Sequence, residues 1–507
     1  MRFLLLLLAT SAFAQVGPNY ERPETVSPPK FKGVTWRAAN PSSHLPKGEW
    51  WKVFRDAKLN ELEAKATANN QQLKAAIARF DQARATARIT RGDFLPTLGA
   101  PLSVDRQRTS GNMPSPFPLN GLRYDGPAYN ALLDFSWEID LWGKIRRGVE
   151  ADKATAAAAA DAVHNILLGI QAEVASTYFQ LRALDAEMRV VREAVSWRGE
   201  ALKIAKARVL AGAGSELEEA QSETEVASAE AEISALQARR DQLENTLAIF
   251  IGANAASFHL AVNASELRSP PSLPTGVPTD LLERRPDLSQ AERQLAAATA
   301  KIGVAKAQFF PSLKLAGNGG FQSGDIDILF EPTSLLWSYG PKISIPLFSG
   351  NKNRFNLSRS KSIHDEALAG YRQAFLAAVA DVETSLSQIR NYATQSSAQQ
   401  RARSSAERAS QLAKTRYEAG TSPYLDVIEA NRTVLTIQRG TIQTAGQRLA
   451  ATVSLVKAIG GSWEQSQTVI MPEVNRDPKA RALGDLDKPG FFSKVKGIFK
   501  AKATGPN

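Results

Sequence analysis

Few residues in this chain could do chemistry. Asp426 and Glu429 stand three apart and so share one helix face. The plain alternative is a solvated helix start, where acids favour the dipole in any case. The four histidines, His44, His164, His259 and His364, lie far apart, with no two at metal-ligand spacing. The chain has no cysteine, which excludes disulfides, thiolate metal sites, iron–sulfur clusters and cysteine nucleophiles. It carries neither a Gly-x-Ser-x-Gly elbow nor a phosphate-cradling loop ending in Gly-Lys. Asp325-Ile-Asp327 lacks the spacing and glycine of a calcium loop and reads as turn acids. The methionines, at 1, 113, 188 and 471, are too scattered for a thioether copper route. The expectation is a protein without catalytic site, metal or cofactor.

Charge points the same way. The net charge is +11, but eight Lys/Arg against three acids fall between Arg476 and the end, so nearly half of it belongs to the tail. The remainder is almost balanced, with no basic stripe or interleaved aromatics, and nucleic acid is not expected as a partner. Met1-Arg2, an apolar run from Phe3 to Ala9 and the small-x-small end at Ala14 describe a signal peptide cleaved before Gln15, a buried N-terminal helix being the alternative. No later run approaches the ~18 apolar residues of a spanning helix.

An internal duplication supplies the elements that must position the acids. Arg208-Val-Leu-Ala-Gly212 corresponds to Arg416-Tyr-Glu-Ala-Gly420, and Ile251-Gly252 to Ile459-Gly460, at a shift of 208; Phe94-Leu-Pro96 matches Phe309-Phe-Pro311 at 215. Each half reads as helix, strand pair, long helix, shorter helix. First helices are expected at about 57–93 and 280–309, each ended by Phe-x-Pro. Long helices are expected at 143–211 and 351–419, about 100 Å each at 1.5 Å per residue, and shorter ones at 215–250 and 423–458. The first and last helix of a half, end to end, would run about as far as the long helix beside them, pairing as in coiled coils. Gly212 and Gly420 are C-terminal stops. Ser215-x-x-Glu218 reads as a capping box, and Ser422-Pro423 as a cap residue before a first-turn proline.

The strand pairs alternate with period two. Tyr129, Ala131, Leu133, Phe135, Trp137 and Ile139 oppose Asn130, Asp134, Ser136 and Glu138. Leu335, Trp337, Tyr339, Ile343 and Ile345 oppose Ser338, Lys342 and Ser344, while Leu98, Leu102, Val104, Leu313, Leu315 and Phe321 supply the other two strands. Long strands, apolar outside, polar inside and aromatic-rich, suit a membrane barrel, although a sandwich alternates similarly. Four strands cannot close alone, and open edges cannot face lipid, so a membrane reading requires several protomers around a shared pore.

Several motifs carry a family resemblance. Val16-Gly-Pro-Asn-Tyr-Glu-Arg-Pro23, Trp137-Glu-Ile-Asp-Leu-Trp-Gly143 with Arg146-Arg147, Arg284-Arg-Pro-Asp-Leu288, Pro346-Leu-Phe-Ser-Gly350 and Arg416-Tyr417-x-x-Gly420 through Val427 together resemble the outer-membrane efflux proteins of the TolC/OprM type, in the branch serving resistance-nodulation-division pumps. The resemblance spans about Val16 to Gly461 and implies an α+β membrane protein. Three chains would each give four strands to a twelve-stranded barrel in the outer membrane, continued by a periplasmic helical barrel that meets a membrane-fusion adaptor and an inner-membrane pump. The implied organisation is a signal peptide at 1–14, a periplasmic N-terminal segment at 15–50, repeats at 51–253 and 275–461, and a basic tail at 462–507. That tail reads as disordered or as a basic amphipathic segment on an anionic surface.

The resemblance also assigns roles. It places a periplasmic gate at Leu425, Asp426 and Glu429, with Tyr417 and Arg416 holding the closed tip; a packing tyrosine and a surface arginine are the plainer reading of the last two. Glu218 is the repeat equivalent of Asp426, and with Gly212 and Gly420 it marks turns where the adaptor would dock. Tyr129, Phe135, Trp137, Trp337, Tyr339 and Ile343 would face lipid. One departure stands out. Many members of this branch carry a lipidated cysteine before Val-Gly-Pro, whereas this chain reads Ala12-Phe13-Ala14-Gln15, so attachment must rest on the barrel. The expected function is the passive exit duct of a tripartite efflux pump for drugs, organic ions or metal ions. A type I protein-secretion duct and a pore-free periplasmic coiled coil are the alternatives.

Overall fold

The computed structural model describes residues 15–23, 48–108, 110, 124–263, 265, 267–271 and 285–461. The expected signal peptide, the basic tail, Arg284 and most of the N-terminal segment lie outside the described residues.

The duplication is visible in element lengths. In the first half α1 (Ala57–Asn69) precedes α2 (Gln71–Gly92), α3 (Lys144–Leu210) and α4 (Glu216–Phe250). In the second, α5 (Pro286–Ala307), α6 (Lys352–Glu418) and α7 (Tyr424–Ala458) repeat the last three with the same lengths of 22, 67 and 35 residues. The single first helix expected over 57–93 is two helices. Asn70 leaves the helical region (φ −59°, ψ 127°), accepts from the Leu73 N–H to restart the chain, and donates from Nδ2 to the Phe250 carbonyl at 2.8 Å. It is therefore α2, and not the whole expected helix, that runs in line with α4. Arg285 makes the matching joint in the second half, donating to the Ala458 carbonyl at 3.1 Å while binding Asp287 and Asp381 at 2.8 and 2.9 Å. There the described helix starts at Pro286, whose missing N–H costs nothing at a first helical position.

The strands form one antiparallel sheet. β1 (Thr97–Gly99) and β2 (Leu102–Arg108) both pair with β3 (Asp125–Ile139) in a single register and are one strand interrupted at Pro101, which has no N–H to give the ladder. β3 pairs with β4 (Ser312–Ser323), and β4 with β5 (Leu335–Ser344), giving, among the described residues, four ladder positions and two unpaired edges. The register puts the expected apolar residues opposite one another: Leu98 faces Phe135, Trp137 faces Leu315, and Leu313 faces Ile343. Gly317 and Gly319 lie opposite Tyr339 and Trp337, whose rings stack with centroids 5.6 Å apart. A side chain at Gly317 would meet the Tyr339 Cβ at 3.1 Å, so the missing side chain makes room for the aromatic pair.

The junction between sheet and helices explains the motif Trp137–Arg147. Asp140 accepts from the backbone N–H groups of Ile145 and Arg146 at 3.2 and 2.9 Å, starting α3, and also binds the Arg146 guanidinium. Trp142 donates to the Pro311 carbonyl at 2.8 Å and stacks on Phe310, tying the first repeat to the second. Arg147, almost wholly buried, reaches Asn19 Oδ1 at 2.7 Å, and a Cβ on Gly17 would collide with the backbone of Gly303. Val16-Gly-Pro-Asn thus packs into a slot between α3 and α5.

The main hydrophobic core lies midway along the helices, where Trp50, Trp51, Phe54, Leu59 and Leu62 meet Tyr178 and Phe179 of α3, Leu247 of α4 and Val453 of α7. A buried ionic cluster flanks it. Asp185 accepts from Arg182 and Arg240 at 2.8 Å each, and the Arg240 guanidinium also donates to the Leu260 carbonyl. Among the described residues no helix is long and apolar enough to cross a membrane.

Candidate functional site

The residues expected to matter fall into two places far apart, the helical tip and the outward face of the sheet.

At the tip both turns are built alike. Gly212 and Gly420 take φ of 70° and 73°, left-handed values that favour glycine. The N–H of Gly212 donates to Val209 and that of Ala213 to Arg208; Gly420 donates to Tyr417 and Thr421 to Arg416, all at 2.9 Å. This six-to-one, five-to-two pattern closes the carbonyl ends of α3 and α6. A Cβ at Gly212 or Gly420 would meet nothing among the described residues, so within them only the backbone angle demands glycine.

The starts of the next helices differ from the expected caps. Ser215 accepts from the Leu217 N–H, one residue earlier than a capping box requires, and Glu218 returns no bond to it. Glu218 instead sits half-buried, its carbonyl accepting from Ser222 Oγ at 2.8 Å. In the second turn the N-cap is Pro423 rather than Ser422, and the helix begins at Tyr424. Pro423 is extended (ψ 156°), which delays the helix by a residue and leaves Ser422 Oγ buried without a partner.

Tyr417 and Arg416 part company. The Tyr417 hydroxyl accepts from the guanidinium of Arg208, which also lies over its ring, and the ring packs on Tyr424 with centroids 5.1 Å apart. Arg416 contributes its carbonyl to the turn while its side chain is exposed. Arg208 is the repeat equivalent of Arg416, so the first repeat supplies the cation that grips the second repeat's tyrosine. Burial pushes the Tyr424 hydroxyl up, and Tyr417, Glu225 and Glu218 add to the rise against a hydrogen bond with Ser222.

Asp426 and Glu429 do share a face, but they are not equivalent. Glu429 accepts from Arg432 at 2.8 Å, one turn along its own helix. Arg432 also binds Glu225 of α4, from Nε at 2.8 Å, and Glu225 meets Arg198 of α3 at 3.2 Å. Asp426 is exposed in the first turn of α7 beside the half-exposed Leu425, with Val427 and Ile428 turned into the helix pair. A second rung lies farther from the tip, where Arg439 joins Glu187 at 2.8 Å and also binds Glu232. These rungs, Arg198–Glu225–Arg432 and Glu187–Arg439–Glu232, lock α3, α4 and α7 together. Sequence reasoning missed them because their partners come from different repeats.

On the sheet, Trp337, Tyr339 and Ile343 are 69%, 78% and 65% exposed, and Leu98, Leu102 and Val104 continue that surface. Tyr129, Phe135 and Trp137 are half-buried in the middle, Trp137 donating to the Phe94 carbonyl at 2.9 Å. The opposite face is polar, Glu138 binding Lys144 and Lys314. Asp325 and Asp327 form a local turn, the Asp327 N–H donating to Asp325 Oδ1. Met188 is buried among Leu184, Leu236 and Leu435, and Met113 and Met471 lie outside the described residues.

A sheet with one continuous apolar face, set on duplicated helices of about 100 Å, defines the class of outer-membrane export channels. The Outer membrane efflux protein family model matches residues 62–253 and 277–461. The chain belongs to that family. It is 34% identical to the pyoverdine export outer membrane protein OpmQ of Pseudomonas aeruginosa, over 85% of this chain and 91% of that one. It is 28% identical to the cation efflux system protein CusC of Escherichia coli O6:H1, over 89% and 96%. Among solved structures, the outer-membrane channel OprN superposes with a TM-score of 0.80 at 29% identity, covering 88% of this chain and 99% of that one. The protein is an outer-membrane channel for efflux.

Proposed function

We propose that three copies of this chain close one barrel and one tunnel, forming the passive exit duct of a tripartite pump. The observation that carries this is the sheet: four ladder positions, an apolar face running across all of them, and, among the described residues, unpaired edges at β1/β2 and β5. Unpaired backbone groups are too costly in hydrocarbon for such a sheet to stand alone. Neighbouring copies offer the complementary edge, and three sheets of four give the twelve strands of a small barrel. The tip turns are the surface offered to the periplasmic adaptor, and Asp426 with Leu425 from three chains forms the narrowest ring. An inner-membrane pump supplies the energy. The cargo is a small molecule or ion; the relatives OpmQ and CusC are named for different cargoes, in keeping with a duct whose selection lies upstream.

Light scattering on detergent-extracted protein, followed by reconstitution in planar bilayers, tests the assembly. Three chains per particle and steady conductance are expected. A monomeric particle, or one that never conducts, would refute the shared barrel.

A further inference from the structure

A cavity of about 830 Å³ opens beside the start of α1, away from both the tip and the sheet. Among the described residues three arginines line it, Arg55, Arg182 and Arg268, against one acid, Asp56. That acid is already committed. Its Oδ1 accepts from the N–H groups of Lys58 and Leu59 at 2.9 and 3.1 Å, and its Oδ2 from the Tyr178 hydroxyl at 2.8 Å. Burial, opposed by a hydrogen bond from Arg182 and reinforced by the bond to Asp56, pushes the Tyr178 hydroxyl up to about 12, so tyrosine supplies no negative charge here.

Arg55 and Arg268 are less well satisfied, and Arg182, although paired with Asp185, keeps one unused donor. Arg182 is 8% exposed and lies over the Tyr178 ring at 4.9 Å; Nη1 is bound to Asp185 and the Ala261 carbonyl, but Nε has no acceptor. Among the described residues Arg268 is bonded only to the Arg55 carbonyl, at 3.4 Å, and no acid there pairs with either Arg55 or Arg268. Arg55 is held at φ 53°, a left-handed angle uncommon for a residue other than glycine, asparagine or aspartate. The positive end of α1 adds to the same field. Between the charges the wall is apolar, formed by Phe54, Phe179 and Leu267 among others.

We propose that this cavity binds a small organic oxyanion, its carboxylate or phosphate held by Arg182, Arg268 and Arg55 and its apolar body against Phe54 and Phe179. Guanidinium groups suit the bidentate geometry of either oxyanion, and the volume is that of a ligand pocket. The site stands apart from the tip turns, and occupancy would act on the junction where α1, α3 and α7 meet.

Calorimetric titration of the detergent-solubilised oligomer tests this with two probes, 1-naphthoate and inorganic phosphate. Saturable binding of one naphthoate per chain is expected, with phosphate at least tenfold weaker. Arg268→Gln with Arg55→Asn, the asparagine chosen because it tolerates the left-handed angle, should weaken naphthoate at least tenfold and leave single-channel conductance unchanged. Failure of naphthoate to saturate, as when a neighbouring copy fills the cavity, overturns the proposal. So does unaltered affinity in the double variant, or phosphate binding as tightly as naphthoate. Unchanged conductance keeps this outcome separate from the fate of the duct reading.

Discussion

Glu63 shows how one residue can set a pH dependence that the sequence does not announce. It sits in α1 with no exposed surface, and neither carboxylate oxygen has a hydrogen-bond partner. Burial alone holds its carboxyl well above the ordinary carboxylate range. The folded chain therefore keeps this proton to a higher pH than the unfolded chain does. The associated stability is complete below the unfolded value and is lost as pH rises through the folded one. Glu63→Gln should consequently melt close to wild type near pH 4 and higher than wild type at pH 8. Parallel melting curves for the two proteins across that range would contradict it. At the tip, Tyr417→Phe removes the acceptor for Arg208 but keeps the ring against Tyr424, so one link between the repeats loosens while packing stays. Conductance of the resting channel should rise; single-channel recordings that match wild type would show that the tyrosine only packs.

At the level of elements, the long helices and their partners were legible because period, the glycine stops and duplication agreed. The ends of α3, α4, α6 and α7 lie within a residue of their expected positions. The failures have local causes. The break at Asn70 was hidden because asparagine inside a polar, helix-compatible run gives little warning, and its purpose, a bond to the Phe250 carbonyl, is tertiary. Pro423 displaced the expected cap because an extended proline can itself serve as the cap residue. The ionic rungs joining Glu225 to Arg432 and Glu187 to Arg439 link residues more than 200 positions apart, beyond the reach of any local pattern. The two turns yield a test of docking. At Gly420 valine is penalised by the backbone angle alone, by roughly 1–2 kcal/mol, whereas asparagine tolerates that angle but still adds a side chain to an open surface. Gly420→Val should perturb the tip itself. Gly420→Asn should leave the oligomer's melting unchanged yet reduce crosslinking to the adaptor, if the adaptor approaches bare backbone. Normal crosslinking of the asparagine variant would mean that docking does not require it.

For the whole molecule, the arrangement of charge at the tip decides how the assembled channel should discriminate between ions. Asp426 and Glu429 read alike in the sequence, as two acids on one face, but the fold treats them differently. Glu429 is held by Arg432, which Glu225 and Arg198 in turn tie to the first repeat, so its charge is already compensated within a single chain. Asp426 is exposed, with no basic partner among the described residues. Threefold repetition would then present three uncompensated carboxylates from Asp426 and three compensated ones from Glu429. A ring of uncompensated acids attracts cations, and its mutual repulsion opposes closure. In a closed resting state the cross-repeat contacts of Tyr417 with Arg208 and of Arg432 with Glu225 would have to outweigh that repulsion. An adaptor that opens the tip can do so only by binding the open form better than the closed one. Three variants separate these roles. Asp426→Asn should abolish most of the cation preference and, by removing repulsion, leave the channel closed at least as firmly. Glu429→Gln should change selectivity little. Arg432→Ala should do the reverse of Asp426→Asn, freeing Glu429 to add to the ring while cutting the tie to Glu225, so that both cation preference and resting conductance rise. Reversal potentials measured in asymmetric salt give the selectivity, and open probability in the same recordings gives closure. Equal losses of cation preference in Asp426→Asn and Glu429→Gln would show that Arg432 does not compensate Glu429 in the assembled channel.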